Sequence, residues 1–194
     1  SNTPNLIGVE KILGQAVAPP PILYQRGQVA IADLVPDSDG KIRRALLSAE
    51  DSSGKSKLSL GTRAALMYLE KKGITLQQVD AEKMHLQLGR ALFKPLTGNE
   101  GNYKTDIVGG YQILMNYRGM RSQFQIVSLT DVLSNQIPPD LMRSRIVFIG
   151  VTAKSLNDFT YTPYGPRLEG VLIHANLTSQ ILSAAIDGRP LLKP

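Results

Sequence analysis

Arg145-Ile-Val-Phe-Ile-Gly-Val-Thr152, the polar stretch behind it, and Gly170-Val-Leu-Ile-His-Ala-Asn176 decide the fold class of this chain. The apolar run 146–151 is short, β-branched and aromatic, with a charge in front and a threonine behind. That composition predicts a strand buried on both faces. Residues 152–170 follow as a long polar loop holding Lys154, Ser155, Asn157, Asp158, Tyr161, Thr162, Pro163, Tyr164 and Pro166. Gly170 then opens a helix that continues through Leu177, Ile181 and Leu182. Strand, loop and returning helix form half of an α/β unit, in which binding sites gather where loops leave the carboxyl ends of strands. Any site in this chain is therefore expected to border the loop.

Working outward, Gln125-Ile-Val leads into Ser128-Leu-Thr-Asp131, a capping-box variant that starts a short helix ending before Pro138-Pro139. A second short helix around Asp140-Leu-Met feeds the apolar run. Tyr111-Gln-Ile-Leu-Met-Asn-Tyr reads as a strand ending at Arg118-Gly119. Residues 97–110 are rich in glycine and polar side chains and read as a loop. Met84-His-Leu-Gln-Leu alternates as an exposed edge strand, with Ala91-Leu-Phe as its partner. Residues 58–72 have helical spacing and stop at Gly73. Residues 28–35 and 41–47 are predicted to pair as a hairpin across Pro36-Asp-Ser-Asp-Gly40, where Asp side chains bond nearby backbone and Gly40 takes positive φ. Residues 51–57 form a second loop, Ala18-Pro-Pro-Pro21 a stiff linker, and residues 5–10 a short strand. The expected class is α/β, a mixed sheet with flanking helices. Hairpins fill the first half and strand-loop-helix units the second. One domain over residues 1–194 is expected, with 18–21 and 97–110 as alternative boundary regions.

Composition narrows the classes. Hydrophobic residues make up 42% and charged residues 20%, enough apolar material for a core. Trp is absent and aromatics are few, so that core is expected to be aliphatic. No run reaches the ~18 apolar residues of a membrane span. With no cysteine, disulfides, thiol catalysis and thiolate metal sites are excluded. The net charge of +6 comes from scattered basic residues such as Arg43-Arg44 and Lys71-Lys72. That pattern argues against a nucleic-acid partner and suits a domain held near an anionic membrane.

Four spaced stretches resemble a CHASE type-2 domain: Asp37-Ser-Asp-Gly-Lys-Ile-Arg-Arg, Asn116-Tyr-Arg-Gly, Val127-Ser-Leu-Thr-Asp-Val-Leu, and the run from Arg145 to Asn176 with its Asn157-Asp158 and Tyr161-Thr162-Pro163. The resemblance covers nearly the whole chain. It implies an extracytoplasmic sensor module of bacterial receptors whose outputs include cyclases and histidine kinases. It also implies a further N-terminal α/β portion before residue 1, and membrane attachment only through segments outside this sequence. Its expected partners are a small-molecule or cell-envelope signal and, in the intact receptor, a second copy. It implies no cofactor. The alternative within the same resemblance is an interaction module that sets dimerisation and binds no small molecule.

The candidate ligand-binding residues are Thr152, Asp158, Tyr161, His174 and Arg118. Asp158 and Tyr161 either wall a ligand or shape a turn, since Asx-turns are common. His174, near a helix N-terminus, is expected to be neutral. It either faces a ligand or ties its helix to the preceding loop, the commoner role. A two-histidine metal site would need distant His85. Arg118 either clamps an anion or pairs with a carboxylate such as Asp131. Ser155, Asp158 and His174 include the residue types of a nucleophilic triad, but no G-x-S-x-G elbow presents the serine. Gly98-Asn-Glu-Gly lacks the ending of a phosphate loop. Asp37-Ser-Asp-Gly lacks the glutamate that closes a calcium loop.

Overall fold

The computed structural model describes residues 3–98, 109–153, 158–165 and 167–193. Strand β1 (Gly8–Glu10) comes first. Helix α1 (Pro21–Gln25) then begins on the last proline of the expected linker, where the missing N–H is not needed and the fixed φ suits a first helical turn. Strand β2 (Val29–Ile31) returns parallel to β1, with Gly8 opposite Val29. Residues 28–35 therefore do not form the expected hairpin with residues 41–47. The turn between them does form: the Asp37 amide donates to the Lys41 carbonyl at 2.9 Å, and Gly40 has φ of 77°. Beyond it, β3 (Arg44–Glu50) pairs elsewhere. One neighbour is β4 (Ser56–Leu58), across the predicted second loop, and the other is β8 (Tyr111–Leu114), both antiparallel.

Helix α2 (Leu60–Glu70) is capped by Ser59, whose side chain accepts the Thr62 amide. The chain turns at Gly73 with φ of 74°. A meander follows, β5 (Leu76–Asp80), β6 (His85–Leu88) and β7 (Ala91–Phe93). β6 is the centre of that sheet rather than an edge, because residues 76–80 supply a partner that their polar composition hides. Helix α3 (Leu129–Leu133) carries the predicted capping box of Ser128 and Asp131. Residues 138–145 make successive turns instead of a second helix. Within the expected polar loop, β9 (Phe159–Tyr161) and β10 (Arg167–Glu169) pair antiparallel and lead into α4 (Gly170–Asp187). The fold is mixed α/β, with small sheets and four α-helices among the described residues.

The run 146–151 departs most from expectation. No described strand pairs with it, and Ile149 is 89% exposed, with Val147 and Val151 also exposed. Its hydrophobicity is used on one side only. Ile146 and Phe148 are half-buried, and the backbone lies so close to α4 that a Cβ on Gly150 would collide with Val171.

The larger core joins β3, β8, α2, β7, β10 and α4 through Leu47, Ile113, Leu69, Phe93, Leu168 and Ile181, all nearly or fully buried. It is predominantly aliphatic, as the composition requires. Helices α2 and α4 approach at Gly61, where an added Cβ would meet the His174 carbonyl oxygen at 3.0 Å. Thr178 closes that contact by donating to the Gly61 carbonyl at 2.9 Å. A second restraint is ionic. Arg44 is only 1% exposed, and its Nε donates to Asp37 Oδ1 at 2.7 Å while an Nη atom donates to Gln112 Oε1 at 3.1 Å. Asp37 also accepts from Arg43 at 2.9 Å.

Two outcomes follow for stability. Asp37→Ala leaves a buried guanidinium without its carboxylate and is expected to cost about 3 kcal/mol in urea unfolding, while Ser38→Ala, on the exposed turn, changes stability by less than ~0.5 kcal/mol. Gly61→Val forces α2 from α4 and is expected to cost roughly 2 kcal/mol by the same measurement.

Candidate functional site

Three of the four spaced stretches meet around α4. Past Leu114 one edge of the chain still meets the segment before β3, the Met115 amide donating to the Arg43 carbonyl at 2.8 Å, and α4 serves the other edge. Gln180 donates from Nε2 to the Leu114 carbonyl at 3.0 Å and accepts the Asn116 amide on Oε1 at 2.9 Å. Asn176 Oδ1 accepts the Arg118 amide at 3.0 Å and the Gly119 amide at 3.4 Å. The Tyr117 hydroxyl donates to the Ile42 carbonyl at 2.8 Å, and burial pushes its pKa upward. Asn116-Tyr-Arg-Gly is thus held between the Asp37–Arg44 stretch and α4.

Beside this junction lies a groove of about 760 Å³. Phe124, Ile126 and Val127 form one wall, Ile146, Val147 and Phe148 the other, and Val171 and Ala175 of α4 part of its lining. Arg121 and Arg145 supply charge, and Thr152 lies at its border. Arg121 is neutralised by an ion pair with buried Glu169. Arg145 donates to Gln125 Oε1 at 3.1 Å. An adjoining cavity of about 420 Å³ shares Phe124, Arg145, Ile146, Phe148 and Ala175 and adds Arg118.

The structure divides the candidate residues. Thr152 and Arg118 line these two neighbouring cavities. The expected partner of Arg118, Asp131, is instead engaged in its own capping box, and the Arg118 side chain extends from an exposed residue. Asp158 sits over the start of α4: its carbonyl accepts the Gly170 amide at 3.1 Å, and a Cβ on Gly170 would lie 2.6 Å from its Oδ1. Shielding by surrounding chain, and then the charge of Glu169, raise the Asp158 pKa, although the residue keeps an exposed face. Tyr161 is on the surface, with the Arg167 guanidinium 4.8 Å from its ring centroid and donating to its hydroxyl at 2.7 Å.

His174 faces away from the groove and is buried. Burial depresses its pKa to about 4, opposed by a hydrogen bond with the Ala32 backbone and by the charge of Asp33. It ties α4 to the chain after β2, not to the loop before the helix. Asp33 is itself buried and accepts the amides of Ile12 and Leu13 at 2.9 and 2.8 Å. His85 lies on β6 beside Asp80, and among the described residues no cluster of three metal-ligating side chains occurs. Ser155, like Lys154, Asn157, Pro166 and residues 99–108 of the 97–110 loop, which include all of Gly98-Asn-Glu-Gly after Gly98, lies outside the described residues. Among the described cavities, none collects Asp158, Tyr161, His174 and Arg118 together. Sequence reasoning missed Phe124, Arg145 and Phe148. The signal available was two short apolar stretches, each headed or followed by a basic or polar residue.

The buried imidazole gives a pH dependence with a definite sign. Unfolded, it takes a proton near 6.5; folded, only near about 4. Between those values the unfolded chain binds the extra proton, so this stabilisation is complete above about 6.5 and is lost as pH falls toward 4. Unfolding free energy is expected to fall by about 1.4 kcal/mol per pH unit across that window, and His174→Gln flattens the profile in chemical denaturation at stepped pH.

No helix among the described residues is long and apolar enough to cross a membrane. No curated protein and no solved structure matches the chain. A family model does: the CHASE2 domain, over residues 1–194. The chain belongs to the CHASE2 family, extracellular sensory domains of signalling receptors.

Proposed function

We propose that this domain binds an extracytoplasmic signal at the groove beside α4 and relays its occupancy to a cytoplasmic output domain of a bacterial receptor. The observation that carries the reading is the connection between the groove's flank and the end of α4. Gly188 closes the helix in the left-handed conformation, with Arg189 donating back to the Ser183 carbonyl. The Arg189 guanidinium then donates to Asn116 Oδ1 at 3.1 Å, and Asn116 Nδ2 donates to the Pro190 carbonyl at 3.3 Å. Asn116 is two residues from Arg118 in the adjoining cavity. A signal that shifts residues 116–119 therefore moves the chain leaving α4, about 27 Å along the helix from Gly170. Such a relay works by favouring one of two arrangements of the domain or of a receptor dimer. The output class, a cyclase or a histidine kinase, follows the family's range.

A second reading is favoured by a different observation. Leu129, Leu133 and Ile149 are 68%, 74% and 89% exposed, large apolar side chains that a partner surface would cover. This supports an interaction module that sets dimerisation.

The sensor reading is tested by thermal-shift screening with amino acids, sugars, nucleotides, organic acids, cell-wall fragments and divalent ions. A ligand at ~100 times its Kd adds about 2.7 kcal/mol. The expected result is a rise in Tm that Phe148→Ala or Arg145→Ala abolishes and His85→Ala leaves intact. Hits indifferent to both groove variants, or none at all, contradict it.

A further inference from the structure

We propose that a second site, separate from the groove, takes a small uncharged molecule with an apolar body and one hydrogen-bond acceptor, such as a cyclic ketone, ether or lactone. It is a cavity of about 100 Å³ among side chains of the larger core. None of its lining residues borders the groove or the adjoining cavity. The β5–β7 meander supplies one wall. Leu86 and Leu88 share a face of β6, and their cross-strand neighbours on that face are Phe93 and Leu76. Thr62 and Leu66, one turn apart on α2, and Ile181 of α4 form a second wall. A third is built at a β-bulge between β3 and β8. Leu46 pairs with Gln112 and Ser48 with Tyr111, which leaves Leu47 as the extra residue. Regular alternation would send Leu47 and Ser48 to opposite faces; at the bulge both line the cavity, together with Tyr111. Bulges are over-represented beside active sites for this re-aiming of side chains.

Two departures from ordinary packing coincide there. Protein interiors leave few voids larger than a water molecule, and buried hydroxyls are normally hydrogen-bonded. The Tyr111 hydroxyl is buried and has no hydrogen-bond partner among the described residues. Burial also pushes its pKa upward, so the phenol stays neutral and keeps a proton to donate. The Thr62 hydroxyl, on the same lining, is shared with Ser59 at 2.9 Å. A water needs only ~10–15 Å³ of such space and two to four polar partners; here the space is several times larger and the walls are mainly leucine. An apolar cavity of ~150 Å³ takes benzene, so this smaller one fits a molecule of roughly five or six non-hydrogen atoms. Among the described residues no charged side chain lines it, which disfavours an ionic ligand. The orphaned phenol selects an oxygen acceptor.

The test titrates this chain with cyclopentanone and with its hydrocarbon counterpart methylenecyclopentane, read by methyl NMR. The ketone is expected to shift the methyl resonances of Leu66, Leu86, Leu88 and Ile181, and the hydrocarbon to bind there at least ~fivefold more weakly. Tyr111→Phe removes that preference, leaves the hydrocarbon's affinity unchanged, and does not lower Tm, since it deletes an unpartnered group. Leu66→Phe, which fills the cavity, abolishes binding of both, whereas Phe148→Ala in the groove alters neither. Absence of shifts at those four residues at millimolar ketone, or shifts confined to groove residues, overturns the proposal. Equal affinity of the two probes in the unaltered chain, or a preference that survives Tyr111→Phe, overturns it as well. A negative result leaves the groove reading standing, because the two sites share no residue.

Discussion

Two side-chain amides on one helix, Asn176 and Gln180, bond main-chain groups of Leu114, Asn116, Arg118 and Gly119. Both are almost completely buried. A buried polar group without a partner costs roughly 1–3 kcal/mol, so the helix and this segment each need the other. Gln180 bonds both Leu114 and Asn116 as a neighbouring strand would. Asn176 holds the next amides with its oxygen and anchors its own nitrogen on the Leu172 carbonyl at 2.9 Å. This side-chain substitute for a strand serves one edge of the segment beyond β8, while on the other edge the Met115 amide still donates to the Arg43 carbonyl at 2.8 Å.

The remaining restraints radiate from that junction. Tyr117 reaches back to Ile42, and Ile42 donates its amide to the Tyr161 carbonyl at 2.9 Å. The β9–β10 hairpin is thereby fixed to the start of β3. Tyr164 meets the Tyr117 ring edge-on with centroids 5.7 Å apart, a favourable aromatic geometry. His174 fastens the opposite face of α4 to the chain after β2. The groove is what remains on the unfastened side, where the apolar run 146–151 touches α4 by one face and meets no sheet among the described residues.

Local chemistry was the legible part of the sequence. The Ser128–Asp131 capping box, the Asp37–Gly40 turn and the stop of α2 at Gly73 all depend on a few adjacent residues. The α/β class was also readable from apolar periodicity. Strand pairing was not, because it is decided by residues far apart. Residues 41–47 look like a hairpin partner of 28–35 until β1 claims β2 and Gln112 and Asp37 capture Arg44. The polar composition of 159–169 concealed a hairpin whose Phe, Thr and Tyr are good strand formers. Burial was misjudged at 146–151 for a related reason: an apolar β-rich run shows that a strand can form, and gives no information on whether neighbours are present.

The candidate site was legible by region rather than by residue. Thr152 and Arg118 lie on the cavities, whereas His174 was drawn inward by helix phase, since residues 172–174, 176 and 177 are all buried. Arg145 escaped notice because a charge before an apolar run reads as a strand boundary.

The most direct test of this account is native-state hydrogen exchange at the Arg118 and Gly119 amides, in the unaltered chain and in Asn176→Leu. That substitution keeps the side chain's volume and removes its acceptor. Both amides should be protected in the unaltered chain and exchange at least ~100-fold faster in the variant, while the amides of the β5–β7 meander change far less. Unchanged protection at Arg118 and Gly119 in the variant would show that α4 does not hold this segment through Asn176.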